Sequence, residues 1–586
     1  MAVNQLVLAS NWSLTGGGAL TVAASSSDVQ VCSTLASAKS LRFVQELHGQ
    51  GLKNGAGFGG SSRRSSTSVA ARTRRRSRRS RRRFSDDGDD DVLAPLRISC
   101  VSTSEVSTAS DSGSDSKLPL KAIPGEYGGT LGAIKDRLDF FWFQGLGEFF
   151  TSRMQKYQST VFRVNMPPGP PGFPDPRVIL LLDAKSYPVL FDVNKVLKKD
   201  VFTGTYHPSW DYTGGVRVLA YLDPSEERHT QLKTFVFEIL KTNGRKFLPE
   251  FHKAISESFQ VWESNLAKGE KASFTDENLQ FAFNFQMRAI VGRDPVAPGP
   301  ASLGRNGGAY AQKWVAPQIA PVTSLGLPHL LEELTFHSFP LPFSLVKKEY
   351  DALYTYLSTY ATEVVEIATK LGIDKHEAIN NVLFFTCFNS FGGFGILLPQ
   401  ILQAIAQGGS SLQQELVREV RAAVNANGGS VTMKGLESME LVKSVVWESL
   451  RMNPPVPYQY GIAKSDFVIE SHNAAFQVKK GEMLAGFQPF ATRDPVIFQD
   501  PHTFLPKRFV GPEAEKLLPY VIWSNGPETG EPTLGNKTCP GKDFVVAMSR
   551  AFVAELFLRY DEFTLAPPDG DGIAAKIAFS SLKKAQ

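Results

Sequence analysis

Cys539 stands near the C-terminus in the run Asn536-Lys537-Thr538-Cys539-Pro540-Gly541. A lone cysteine is usually a small packed hydrophobe, so its neighbours decide whether the sulfur does chemistry. Lys537, two positions before it, offers a cation to a carboxylate of a bound group, and Gly541 lets the chain turn away after the sulfur. Upstream, Glu448-Ser449-Leu450-Arg451 sets an acid and a base three apart, and Arg508 follows in Pro506-Lys507-Arg508-Phe509. Alone, Glu-x-x-Arg is mostly an i,i+3 pair on a solvated helix face. In the order Glu-x-x-Arg, Pro-x-Arg-Phe, Cys-x-Gly, the residues Glu448, Arg451 and Arg508 read as a buried bidentate cluster, which persists in a core only if each charge is paired.

On these motifs residues 118–586 resemble the cytochrome P-450 superfamily. The resemblance implies a mainly α, haem-thiolate cytochrome P-450 fold with a small β-sheet subdomain, with haem b as cofactor, Cys539 as the metal ligand and Lys537 at a propionate. Two departures bear on what the haem does. After Trp523-Ser524-Asn525-Gly526 come nine extra residues, Pro527 to Gly535, before Asn536-Lys537-Thr538-Cys539. The long central helix expected from Lys375 to Gln407 reads Phe388-Asn389-Ser390-Phe391-Gly392-Gly393-Phe394, without the acid–alcohol pair that monooxygenases of the superfamily use to protonate iron-bound dioxygen. The oxidant is therefore expected to be bonded into the substrate already. The insert Ser524-Asn525-Gly526-Pro527-Glu528-Thr529, the run around Asn389, Asn165-Met166-Pro167-Pro168-Gly169-Pro170, Phe202-Thr203-Gly204-Thr205-Tyr206 and Ala491-Thr492-Arg493-Asp494-Pro495 are similar to the plant branch that metabolises fatty-acid hydroperoxides. That branch comprises allene oxide synthases, hydroperoxide lyases and divinyl ether synthases.

The resemblance implies an enzyme that takes a polyunsaturated fatty-acid hydroperoxide and needs no reductase, NADPH or dioxygen. A thiolate-bound iron favours O–O cleavage. Homolysis leaves an alkoxyl radical that closes onto the neighbouring double bond as an epoxyallylic carbon radical. Oxidation and proton loss then give an allene oxide, feeding oxylipin and jasmonate-type biosynthesis, whereas oxygen rebound with chain cleavage gives aldehydes. Asn389 is the candidate that holds the hydroperoxide, since an amide donates and accepts without supplying an acidic proton; an Asn in an apolar helix otherwise simply satisfies a carbonyl. Phe202 is the candidate that stabilises the carbon radical and favours the synthase outcome, although this chain has 41 Phe and an ordinary core ring competes with that role. Ala220 and Gly395 depart from residues common in the synthases. His229 and Lys233, four apart on an early helix, are candidates for reaching the propionates, against a surface helix that merely exposes them. A hydroperoxide lyase or divinyl ether synthase is the alternative function, and a non-catalytic haem-binding protein the alternative from another class.

The front of the chain has another composition. Residues 1–84 are rich in Ser, Ala, Gly and Arg with only Asp28 and Glu46 acidic, as in an organelle transit peptide. Eleven arginines lie from Arg63 to Arg83, a block that elsewhere binds nucleic acid. The first hundred residues carry 15 Lys and Arg against 7 Asp and Glu; the whole chain is +5, so the remainder is −3 and a nucleic-acid partner is not expected. Residues 1–100 are thus read as a disordered plastid transit and processing region, 101–117 as a disordered linker and 118–586 as the catalytic domain, placed in the chloroplast with envelope or thylakoid association open. Cys32, Cys100, Cys387 and Cys539 show no metal spacing and leave no disulfide framework.

Positioning these groups falls to helices. Leu412, Leu416, Val420 and Val424 recur every fourth residue, and Leu441 to Leu450 predicts a helix stopped by Pro454-Pro455. Arg177 to Leu182 and Phe467 to Val478 predict extended segments of a small sheet. No transmembrane helix is expected, because the most apolar stretch, Asn381 to Leu398, contains Asn389 and three glycines. Leu138 to Phe143 and Val322 to Leu334 are aromatic and apolar enough to form a peripheral docking surface for a membrane, or equally to be buried helix faces.

Overall fold

The computed structural model describes residues 118–204, 206–324, 327–569 and 576–586. The readings of the transit region and the linker lie outside them, as does Thr205.

In chain order the principal elements are β1 (Leu120–Lys121), α1 (Gly129–Leu138), α2 (Gly145–Tyr157), β2 (Val161–Asn165), β3 (Arg177–Leu181), β4 (Val196–Leu197), α3 (Glu227–Ala267), β5 (Ala272–Ser273), α4 (Phe274–Gln286), α5 (Gly307–Ile319) and α6 (Lys347–Tyr360). Then come α7 (Lys375–Gln407), α8 (Gly409–Ala426), α9 (Glu440–Met452), β6 (Tyr458–Ala463), β7 (Phe467–Glu470), β8 (Ala475–Val478), β9 (Met483–Phe487), β10 (Ile522–Trp523), β11 (Gly526–Pro527), α10 (Lys542–Arg559), β12 (Tyr560–Leu565) and β13 (Ala578–Lys584).

Helices make up most of the body. The four-residue stripe of α8 is buried at Leu412, Leu416, Val420 and Val424, as its spacing requires. α7 begins where the Asp374 side chain accepts the amides of His376 and Glu377. By length and composition, with a mean hydropathy of 1.6, α7 could cross a membrane; yet 72% of that apolar stretch is buried inside the body, packed on α4 and α9. Its middle, Phe384–Ser390, relaxes into a π-helix, which adds a residue to the turn and re-aims the side chains there.

The five-stranded sheet has the order β2-β3-β9-β6-β4, parallel only between β3 and β9. Alternation along its strands sends Phe162, Val164 and Leu180 into one apolar cluster and Val161, Ile179 and Leu181 into another. The run Phe467 to Val478 is two strands, β7 and β8, reversed at Ser471–Ala474 and joined in parallel by β1. β12, β13 and β5 make a second antiparallel sheet. A large core cluster joins α3, α4, α5, α7, α8, α9 and α10, and it is this helical packing that surrounds the site.

Candidate functional site

Cys539 sits on a loop whose shape is dictated from outside. β10 and β11 form a hairpin with a left-handed Asn525 (φ 60°) at its tip. Its backbone holds the sulfur's neighbours: Ser524 O accepts Cys539 N at 3.2 Å, and Asn525 O accepts the Thr538 hydroxyl at 3.1 Å. Gly526 is required there, because a Cβ would lie 2.6 Å from Thr538 Oγ1. The insert closes on itself through Asn536, whose Oδ1 accepts the amides of Thr533 and Thr538 while its Nδ2 donates to Glu531 O. Sequence reasoning missed this capping role of Asn536, although an Asn that closes a Pro- and Gly-rich loop is a recognisable signal.

The loop, the N-terminal turns of α3 and the π-helical middle of α7 enclose a cleft of about 1320 Å³ of atom-free space, its mouth included. Cys539, Lys537, Lys233, His229, Asn389 and Ala220 all line it, and among the described residues its wall contains no Asp or Glu. Lys233 is 1% exposed and its Nζ donates to Asn536 O at 2.6 Å and to Oδ1 at 3.0 Å. Lys537 Nζ donates to Leu219 O at 2.9 Å and Ala220 O at 3.0 Å. Burial lowers Lys537 to about 7, helped by Lys233 and Lys198, and lowers Lys233 to about 8. His229 is driven down to about 3 by burial and by both lysines, so its ring is neutral, and among the described residues its Nδ1 has no partner. Burial pushes the Cys539 thiol up, opposed by the Gly541 amide, Lys233 and Lys542.

Such a wall fits an anionic, flat group with a soft metal at its centre. Two buried ammonium groups and an unsatisfied imidazole meet no carboxylate of the cleft wall, a costly arrangement unless a ligand brings the anions. Gly393, on the turn after Asn389, leaves open space where a Cβ would stand. With the Cys539 sulfur on the same wall, the residues present fit haem: Cys539 would hold the iron, and Lys233, Lys537 and His229 would face the propionates.

The charge cluster of Glu448, Arg451 and Arg508 is not part of this wall. Glu448 is wholly buried and accepts Arg451 Nε at 2.6 Å and Nη2 at 2.8 Å, Arg508 Nε at 3.0 and 3.1 Å, and Leu505 N at 3.0 Å. The remaining guanidinium protons go largely to carbonyls of Thr492, Pro501, Thr503, Gln499 and Asp500. The cluster thus binds α9 to the loops that lead to the hairpin.

Phe202 does not line the cleft. Its ring is buried 5.9 Å from Phe388, and Phe388 directly precedes Asn389 on α7. Its ring also meets Tyr206 and Tyr221, and Phe388 in turn stacks on Phe384 of the cleft wall, so its link to the cleft is through neighbouring rings. Gly395 is also outside the wall: a side chain there would meet Leu279 of α4 at 3.5 Å. Ala220, by contrast, lines the cleft.

The two apolar segments flagged in the sequence lie against each other. Phe141 stacks on His337 at 3.9 Å, and Trp142 stacks on His329 at 4.2 Å and donates to Glu333 Oε1. Phe143, Leu330 and Leu334 are left exposed. A further group with metal-type ligands, Asp183, His472 and Asp494, is already engaged: its carboxylates accept the amides of Lys185, Ser186, Ala184 and Val496 and the hydroxyl of Thr160.

The family profile described as Cytochrome P450 matches residues 410–571. Allene oxide synthase 1, chloroplastic, of Solanum lycopersicum is 50% identical over 84% of this chain and 91% of its own length. An allene oxide synthase of Parthenium argentatum is 52% identical over 80% of this chain and 99% of its own. A divinyl ether synthase of Selaginella moellendorffii is 46% identical over 76% of this chain and 92% of its own.

Proposed function

Because the chain belongs to the cytochrome P450 family, in the branch that holds the allene oxide synthases and a divinyl ether synthase, we propose that it is an allene oxide synthase, a haem-thiolate hydroperoxide dehydratase. The reaction converts a polyunsaturated fatty-acid hydroperoxide to an allene oxide with net loss of one water, without dioxygen or NADPH. The observation that carries this reading is the cleft itself, with Cys539 and Asn389 on one wall and no carboxylate in it. When bound there, thiolate-ligated haem iron supplies O–O bond cleavage.

The protein's own residues supply the rest. Asn389 presents an amide that holds the peroxide oxygens as donor and acceptor, and the π-helix aims it from α7. Phe384 and Phe385 give the cleft an apolar wall for the acyl chain and keep bulk water from the radical. Phe202 shapes this wall from behind through Phe388, favouring electron loss and proton loss over oxygen rebound. His229, Lys233 and Lys537 hold the anionic edge of the cofactor.

The plastid is the compartment this reading assigns, in keeping with relatives named chloroplastic and with the Arg- and Ser-rich front of the chain. Phe143, Leu330 and Leu334 then form a shallow docking patch for a lipid surface. Leu334→Glu should weaken flotation with plastid-lipid vesicles, and equal flotation would remove the patch from the account.

Product analysis with 9- and 13-hydroperoxides under anaerobic, NADPH-free conditions tests the reaction. Ketols and cyclopentenone, the solution products of an allene oxide, are expected, and dependence on NADPH and oxygen would overturn the assignment. Divinyl ether or aldehyde formation is the second reading, favoured by Ala220 in the cleft wall.

A further inference from the structure

We infer that Glu528, the second residue of the nine-residue insert, is a positioning residue for the iron ligand: it binds the indole N–H of Trp523 and so keeps that donor away from the Cys539 sulfur. The inference rests on Cys539 as the haem ligand and not on which product forms.

Glu528 uses every polar group it has. One carboxylate oxygen accepts the Trp447 indole N–H at 3.0 Å, and the other accepts the Trp523 indole N–H in a short contact. Its amide donates to Val521 O at 2.7 Å, and its carbonyl accepts Lys542 Nζ at 2.8 Å. One residue thereby ties together α9, which carries Trp447 beside Glu448, the β10–β11 hairpin and the start of α10. The Arg550 guanidinium, 4.9 Å over the Trp447 ring, closes the far side of this arrangement.

The hairpin so anchored is the one whose Ser524 and Asn525 carbonyls hold Cys539 and Thr538, and Trp523 and Cys539 line the same cleft. An indole N–H is only a donor, and a thiolate that receives a hydrogen bond gives less electron density to its metal. A tryptophan N–H on this wall that turned to the sulfur would therefore weaken the thiolate, and committing it elsewhere prevents that. Glu528 provides that commitment, and two donors on one carboxylate fix the plane of the Trp523 ring.

The test compares holoenzymes. In Glu528→Gln the amide oxygen accepts one indole while the NH2 group opposes the other. The ferric Soret and ferrous–CO bands should move toward weaker thiolate donation, and the haem reduction potential should rise. Haem release to excess apomyoglobin should quicken roughly tenfold, the scale of one lost charge-assisted hydrogen bond. In a Trp523→Phe background, which keeps the ring and removes the N–H, Glu528→Gln should shift the bands no further. Wild-type bands, potential and release rate in Glu528→Gln would overturn the proposal, and so would an equal band shift in the Trp523→Phe background. If Glu528→Gln does not fold with haem, Trp523→Phe decides alone: wild-type bands support the proposal and altered bands defeat it. Cys539→Ser separates the underlying assignment, because a thiolate-type CO band surviving in that variant would remove Cys539 as ligand whatever Glu528 does.

Discussion

Replacing Lys233 by Met asks whether the basic wall of the cleft exists for an anionic cofactor. Lys233 is 1% exposed, and burial lowers its pKa from 10.5 to about 8. A depression of that size disfavours the charged amine by about 3 kcal/mol while no anion stands opposite. Propionates entering the cleft offset most of this, so the amine takes up a proton as haem binds. Its pKa is then higher in the haem-bound protein than in the haem-free one. The contribution of Lys233 to haem affinity is therefore complete below about pH 8 and is lost as pH rises from there toward the haem-bound value. Haem release, followed by capture in excess apomyoglobin from about pH 7 to about pH 10, should accelerate with pH in the wild type. For this group alone the change is up to roughly 300-fold. Lys233→Met should release haem faster near neutral pH and show a flatter profile above about pH 8. Parallel pH profiles for the two proteins would refute the reasoning, because the lysine would then not be exchanging protons with haem binding.

Three other outcomes follow from the same geometry. Glu448→Gln removes the carboxylate that two buried guanidinium groups share and leaves them neutral acceptors only, and urea unfolding of the holoenzyme should show a loss of about 3–5 kcal/mol; a loss near zero would mean that the cluster is not the lock it resembles. Asn389→Leu keeps the volume but removes the amide, so kcat/KM for the hydroperoxide should fall roughly ten- to hundredfold. The resting haem spectrum should stay unchanged, and full activity would release Asn389 from its assigned role. Phe202→Leu should divert product from ketols and cyclopentenone toward aldehydes, and Phe388→Leu should do the same, because the Phe202 ring touches Phe388 and not the cleft. A product shift in the first variant without one in the second would mean that Phe202 acts by another route.

Local patterns made much of this legible. The helices carrying Leu412 to Val424 and Glu448 follow from apolar spacing and from Pro454-Pro455, since both are short-range properties of the chain. Phe467 to Val478 was legible as extended but not as a hairpin, because the reversal at Ser471–Ala474 depends on a backbone pairing that alternation alone does not specify. The π-helical turn at Asn389 was hidden as well: a one-residue widening leaves no mark in hydrophobic periodicity, yet it decides which side chains the helix turns to the cleft. Phe202 shows the opposite failure. Its motif pointed to the pocket, but motif position is one-dimensional, and the fold sets its ring against Phe388, Tyr206 and Tyr221.

By itself the sequence determined the chemical inventory: a sulfur with a basic neighbour, a central helix without an acid–alcohol pair, an acid and two arginines in fixed order, and a basic front distinct from an acidic body. Those are properties of residue type and order, which no folding can alter. Only the tertiary structure decided which of them meet. It brings Lys233 from α3 to Asn536 across 303 positions, turns Gly395 toward α4, and sets Trp447 and Trp523 on one carboxylate of the insert. Contacts of that range depend on how buried surfaces pack and on which buried polar groups must find partners, and neither requirement is written in any local stretch of the chain.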